Sequence, residues 1–117
     1  MALSDNRFST QYKLTESAQI RRVYASGSRY RLGPFTIFVL VNKLDNPRIC
    51  ISIAKKFIAK ATLRNTIKRL IRENFRLTKT TIQHMDIVIT VNCSLNKQQL
   101  PILKDQLNKI WARLQKS

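Results

Sequence analysis

The chain is short of acids, glycine and histidine, and each shortage excludes a class of chemistry. Only six of its 117 residues are acidic, scattered as Asp5, Glu16, Asp45, Glu73, Asp86 and Asp105. A self-sufficient protein nuclease needs carboxylates clustered around metal ions, or a His/Lys acid–base pair. The single histidine, His84, stands next to Met85 and Asp86 at a loop-to-strand junction, where a surface position is expected rather than a catalytic one. No glycine loop of the phosphate-cradling kind is present. Chemistry by this chain alone is therefore not expected. Cys50 and Cys93 lie far apart with no C-x-x-C spacing and no histidine cluster, so they read as reduced thiols packed in strands of a cytosolic (cytoplasmic) protein. No apolar run approaches the roughly 18 residues of a membrane span. The first seven residues lack the apolar stretch of a secretory signal. Two glycines and three prolines leave few breaks, which implies short connections and no linker.

Apolar residues and positive charge are abundant instead. Apolar types make up 44% of the sequence, enough to bury a core in a single domain spanning residues 1–117, with residues 1–13 polar and loosely ordered. Twenty-two Lys and Arg give a formal charge of +16. Self-repulsion on this scale is usually relieved by a polyanion. Nucleic acid is the first partner to consider, ahead of an anionic membrane or an acidic protein.

Periodicity predicts the elements. A helix is expected over 16–26, with Thr15 as N-cap, Gly27 as stop and Ile20, Val23 and Tyr24 on one face. Residues 35–42 read as a strand, Asp45-Asn46-Pro47 as a turn, and residues 48–54 as a second strand. In that strand Ile49, Ile51 and Ile53 face one way and Cys50, Ser52 and Ala54 the other. These two runs are expected to form a hairpin. A helix over 60–78, a strand over 86–91 and a last helix entered near Asn96, with Pro101 in its first turn, complete the chain. The order is helix, two or three strands, helix, strand, helix, which implies an α/β (α+β) two-layer sandwich.

Residues 55–79 carry nine basic residues and one acid, Glu73. At 100° per residue, Arg64, Asn65, Lys68, Arg69, Arg72 and Arg76 share one arc, while Leu63, Ile67, Leu70, Ile71 and Phe75 fill the adjoining one. Arg64, Lys68, Arg72 and Arg76 repeat at i,i+4 with like charge, an arrangement that destabilises a helix unless an anion neutralises it. Arginine forks match phosphate oxygens in two-point contacts, so RNA is the natural occupant. Strand parity adds a second feature. If the second strand continues past Ala54, Lys56 joins Cys50 and Ser52 on one face, and Thr36 and Phe38 lie on one face of the first strand. Small side chains beside an aromatic and a lysine would form a trough in which bases stack and phosphates meet cations. The alternative is that Phe38 and Tyr24 are ordinary core.

The run Ile53-Ala54-Lys55-Lys56, followed after seven residues by Arg64-Asn65-Thr66-Ile67-Lys68-Arg69-Leu70-Ile71-Arg72-Glu73-Asn74-Phe75-Arg76, resembles the signature of the bacterial ribonuclease P protein component. The likeness extends over most of the chain, including Leu14-Thr15, Asn46-Pro47-Arg48-Ile49, Asp86, Leu107 and Trp111. It implies a sandwich with a left-handed βαβ crossover, and assembly with a catalytic RNA that removes the 5′ leader of precursor tRNA. It also implies that the RNA supplies the active site and holds the Mg2+, with none bound by the protein alone, and that the protein is a monomer, one per RNA, with no membrane role. Carried over by position, Lys55, Lys60, Arg64, Asn65, Lys68, Arg69, Arg72 and Arg76 would meet the catalytic RNA. Ile20, Tyr24, Thr36, Phe38, Ser52 and Lys56 would line a cleft for the single-stranded leader. Ile20 stands where the family often has an aromatic, Cys50 where glycine is common, and Phe57 where a polar residue is frequent. A structural ribosomal or ribosome-assembly protein is the alternative that shares the charge, size and fold class.

Overall fold

The computed structural model describes residues 10–116. Helix α1 (Ser17–Ser26) leads into strands β1 (Ser28–Leu32), β2 (Phe35–Val41) and β3 (Arg48–Ile53). Helix α2 (Ala61–Thr78), strand β4 (Met85–Val91) and helix α3 (Leu100–Arg113) follow, with 3₁₀ turns at Thr10–Tyr12, Lys79–Thr81 and Lys97–Gln99. The strands form one sheet in the order β1-β2-β4-β3, antiparallel except for the β3/β4 pair, which is parallel.

The expected hairpin between residues 35–42 and 48–54 does not form, because β4 inserts between those strands. The reason lies in burial. Every residue of Met85–Val91 is buried, as befits a strand covered on both faces and paired on both sides. A helix connects β3 to β4, so the chain returns in the same direction and the pair is parallel. The hairpin that does form joins β1 to β2 through Gly33-Pro34, and Gly33 takes the left-handed φ of 57° that a side chain would resist.

Register sorts the side chains into two faces. Phe35, Ile37, Val39, Ile49, Ile51, Ile53, Ile87, Ile89 and Val91 share one face, joined by Tyr30 and Leu32 of β1. Against it lie Ile67, Ile71 and Phe75 of α2 and Leu103, Leu107, Ile110 and Trp111 of α3, forming the main core. Trp111 Nε1 donates to Asn74 Oδ1 at 2.6 Å, tying the two helices together. On the opposite face α1 packs over β2 and β4, where Leu14, Val23 and Val88 form a small cluster flanked by Ile20, Phe38, Leu40 and Cys50. Gly27 ends α1 where the chain passes tightly over β2. A Cβ there would lie 2.5 Å from the carbonyl oxygens of both Val23 and Val39.

Several boundaries differ from expectation. Glu16, not Thr15, is the N-cap of α1, and it makes no side-chain cap. Strand β3 stops at Ile53, and Ala54 O accepts from the N–H groups of Phe57 and Ile58 in a turn, so Lys56 is not a strand residue. Cys50 lies in β3, but Cys93 follows β4 outside any strand; both are free thiols. Asn96 opens the last helical segment through a capping box with Gln99 around a 3₁₀ turn, before α3 proper begins at Leu100. Residues 10–13 are tied in: Lys13 bridges to Ile49, and the Tyr12 ring meets Phe75 edge-on and the Lys79 ammonium at 4.9 Å. Residues 1–9, the rest of the segment expected to be loose, lie outside the described residues.

Candidate nucleic-acid interface

Helix α2 turns its apolar arc into the core and leaves the other arc in water. Leu63 and Leu70 flank the buried Ile67, Ile71 and Phe75, while Asn65, Arg69 and Arg72 are exposed and Lys68 is half-buried. The first turn holds no acid to balance the positive end of the helix dipole, and its N-cap, Lys60, has no side-chain cap. Lys55 and Lys56 lie exposed in the turn just before it. This end of the helix gathers positive charge without local compensation.

The cations of α2 are not equivalent. Arg64 Nη1 donates to the carbonyl oxygens of Ile58 and Ala59 at 2.9 and 2.8 Å, so this side chain also pins the loop that enters the helix. Arg76 is paired with Glu73 one turn back, with Nε to Oε2 at 3.1 Å. That hydrogen bond holds the Glu73 carboxyl below its usual range and raises the Arg76 guanidinium. Lys68, Arg69 and Arg72 make no ion pair among the described residues.

The second feature is the face of the sheet opposite α2 and α3. Register aligns Arg31, Thr36, Thr90 and Ser52 in one row across the four strands, and Arg29, Phe38, Val88 and Cys50 in the next. Tyr24 of α1 stands edge-on to Phe38, with ring centroids 4.7 Å apart and planes at 66°, and remains 42% exposed. Ile20, one turn earlier in α1, packs against the same small cluster. Burial against the sheet, and secondarily Cys50, raises the Tyr24 phenol above its usual pKa. Burial likewise pushes the Cys50 thiol up, while the charges of Lys68 and Arg72 pull it down. Those two α2 cations thus act on a thiol of β3, the strand that α2 also contacts.

Of the residues expected to line a cleft, Tyr24, Phe38, Ser52 and Ile20 lie on the α1 side of the sheet, while Lys56 sits in the turn beyond β3. Thr36 is on the expected face but is 2% exposed. Its hydroxyl accepts from Asn92 Nδ2 at 2.8 Å, and the same amide group donates to Thr90 Oγ1 at 3.1 Å. Asn92, exposed above this pair, is the polar group that the trough presents there, and nothing in its sequence context singled it out. Arg29 and Arg31 were also missed, although their spacing around Tyr30 is a strand-period signal.

A family model, Ribonuclease P, matches residues 8–115. The chain belongs to the ribonuclease P protein family. It is 35% identical over 112 residues to the ribonuclease P protein component of Pseudoalteromonas translucida, an alignment covering 96% of this chain and 80% of that one. Among solved structures it resembles the RNase P protein of Staphylococcus aureus, with a TM-score of 0.76 and 31% identity over 90% of this chain and 98% of that chain. It also resembles the RNase P protein of Thermotoga maritima, with a TM-score of 0.72 and 25% identity over 89% and 98% of the two chains. Three helices around a four-stranded mixed sheet are thus the family's fold as well as this chain's. No helix among the described residues is long and apolar enough to cross a membrane.

Proposed function

We propose that this protein subunit of ribonuclease P binds the catalytic RNA through the exposed face of α2 and grips the 5′ leader of precursor tRNA in the trough beside α1. The observation that carries the reading is the junction at β3. Lys68, Arg69 and Arg72, in no ion pair among the described residues, lie on the helix that contacts β3, where Lys68 and Arg72 act on Cys50. The Cys50 face of the sheet also carries Phe38, with Tyr24 edge-on to it. The first surface is built for phosphate, since arginine and lysine neutralise converging backbone charge. The second suits unpaired nucleotides, because aromatic faces stack bases irrespective of sequence while nearby cations follow the backbone.

Family resemblance implies magnesium. In this reading the magnesium is held by the RNA partner. The protein's part in this reading is to bind and orient. The α2 cations lower the repulsion between RNA phosphates brought close together, and the trough favours substrates that still carry a leader.

The test is cleavage of precursor tRNA by a bacterial ribonuclease P RNA at low magnesium, with and without the protein. Strong stimulation by the protein, and no cleavage by the protein alone, is the expected result. Tight RNA binding without stimulation would instead indicate a structural RNA-binding role.

A further inference from the structure

The charge left over after α2 is accounted for points to the other rim of the sheet. Strand β1 is an edge strand, and its residues alternate between the two faces. Tyr30 and Leu32 turn toward α3 and the core, where the Arg113 guanidinium lies 4.1 Å from the Tyr30 ring centroid. Arg29 and Arg31 turn the other way, onto the trough face, opposite Phe38 and Thr36 in the ladder. Both are exposed, and neither belongs to either of the two ion pairs among the described residues. The Arg29 guanidinium sits 6.0 Å from the Phe38 ring centroid, beside the aromatic that Tyr24 flanks from above. Helix α1 packs chiefly on β2 and β4.

We propose that Arg29 and Arg31 form a phosphate-binding wall along β1, facing Lys68 and Arg72 across the sheet, so that a single RNA strand lies between two cationic rims. The inference rests on the leader-binding reading above and adds residues that the family signature does not contain. Three inter-strand spacings separate β1 from β3, or about 14 Å across the floor. At roughly 3.4 Å per stacked nucleotide, that distance is crossed by at most about four nucleotides. A strand that stacks on Phe38 and continues across β2 therefore delivers its next phosphates to Arg29 and Arg31. Charged residues on an edge strand also discourage pairing with other chains. That role needs charge but no orientation toward the trough, and the experiment separates the two.

The holoenzyme is reconstituted with a bacterial ribonuclease P RNA and either wild-type protein or R29A/R31A. Binding is measured over a range of salt for precursor tRNA with a minimal leader and with a leader about four nucleotides longer. The wild type should gain affinity from the longer leader, and R29A/R31A should lose most of that gain. For the longer leader, the slope of log affinity against log salt should fall by about 1.4, at roughly 0.7 per single-strand phosphate. Between 50 and 200 mM salt that slope difference shrinks the wild-type advantage about 7-fold. R29K/R31K keeps both charges and should keep most of the slope, which guards against a folding defect in the alanine variant. Equal leader gain and equal slope in the wild type and R29A/R31A would overturn the wall and leave the leader reading standing. A wild type that gains nothing from the longer leader would overturn both.

Discussion

Replacing Asp86 by asparagine tests how the sheet is held in register. Asp86 and Arg48 are directly opposed in the parallel β3/β4 pair, and their side chains are only 10% and 17% exposed. Arg48 Nε donates to Asp86 Oδ1 at 2.8 Å and Nη2 to Oδ2 at 2.7 Å, a two-point fork, while Asn42 Nδ2 adds a third donor to Oδ1 at 3.0 Å. The carboxylate keeps the Arg48 guanidinium firmly charged, chiefly through these hydrogen bonds. Asp86→Asn leaves that cation largely buried without its hydrogen-bonded carboxylate, with only the more weakly acting Glu16 as a remaining counter-charge. Removing one member of a buried pair costs about 3–5 kcal/mol, and the residual exposure here argues for the lower end, about 3 kcal/mol. With an unfolding entropy of about 0.25 kcal/mol/K for a chain of this length, the melting temperature should fall by about 12 °C. Thermal unfolding followed by circular dichroism measures it. The double variant R48M/D86L replaces the pair with apolar side chains and should recover most of the loss. A drop below about 3 °C for Asp86→Asn, or a double variant no more stable than the single one, would refute the reasoning.

Three further outcomes follow from the site. Arg64→Ala with Arg69→Ala should weaken assembly with the catalytic RNA and lower the salt slope by about 1.8 for two phosphates; unchanged assembly at moderate salt would count against the α2 surface. Arg64 also pins the entry loop, so Arg69→Ala alone should reproduce about half of the slope change without loosening that loop. Phe38→Ala removes a stacking platform worth about 1–3 kcal/mol per base, so the preference for precursor over mature tRNA should fall about 5- to 150-fold. An unaltered ratio would remove Phe38 from the leader cleft. In a Cys93→Ser background, Cys50 should alkylate more slowly at pH 8 than free cysteine, because its raised pKa leaves less thiolate, and bound RNA should slow it further. Alkylation as fast as the free thiol, or insensitive to RNA, would place Cys50 outside the trough.

The sequence was most legible where one period dominates. Alternating isoleucines in residues 49–53 gave the two faces of β3, and the adjoining arcs of residues 63–76 gave the buried and charged sides of α2. Strand order was not legible, because adjacency in sequence favours the hairpin, whereas burial on both faces puts β4 in the middle. β1 was missed because Arg29 and Arg31 dilute its apolar content. Their significance appears only once the register sets them beside Phe38 and Thr36. The Arg48–Asp86 fork was equally hidden, since it joins residues 38 positions apart that meet only in the parallel pair. Within the site, parity identified Thr36 but could not reveal that Asn92 covers its hydroxyl.

The central place of β4 has a consequence for the order in which the molecule can be finished. During synthesis α2 is complete before β4 exists, so its apolar side has at most an unclosed sheet to rest on. Until Val91 has emerged, β2 and β3 have no common neighbour, and the basic helix has no rigid support. The last strand is a keystone, and its late arrival makes this a chain of long-range closure, slower to fold than a local hairpin sheet. A polyanion that meets the nascent chain early encounters charge without architecture. The arrangement of cations that distinguishes one RNA from another exists only after closure.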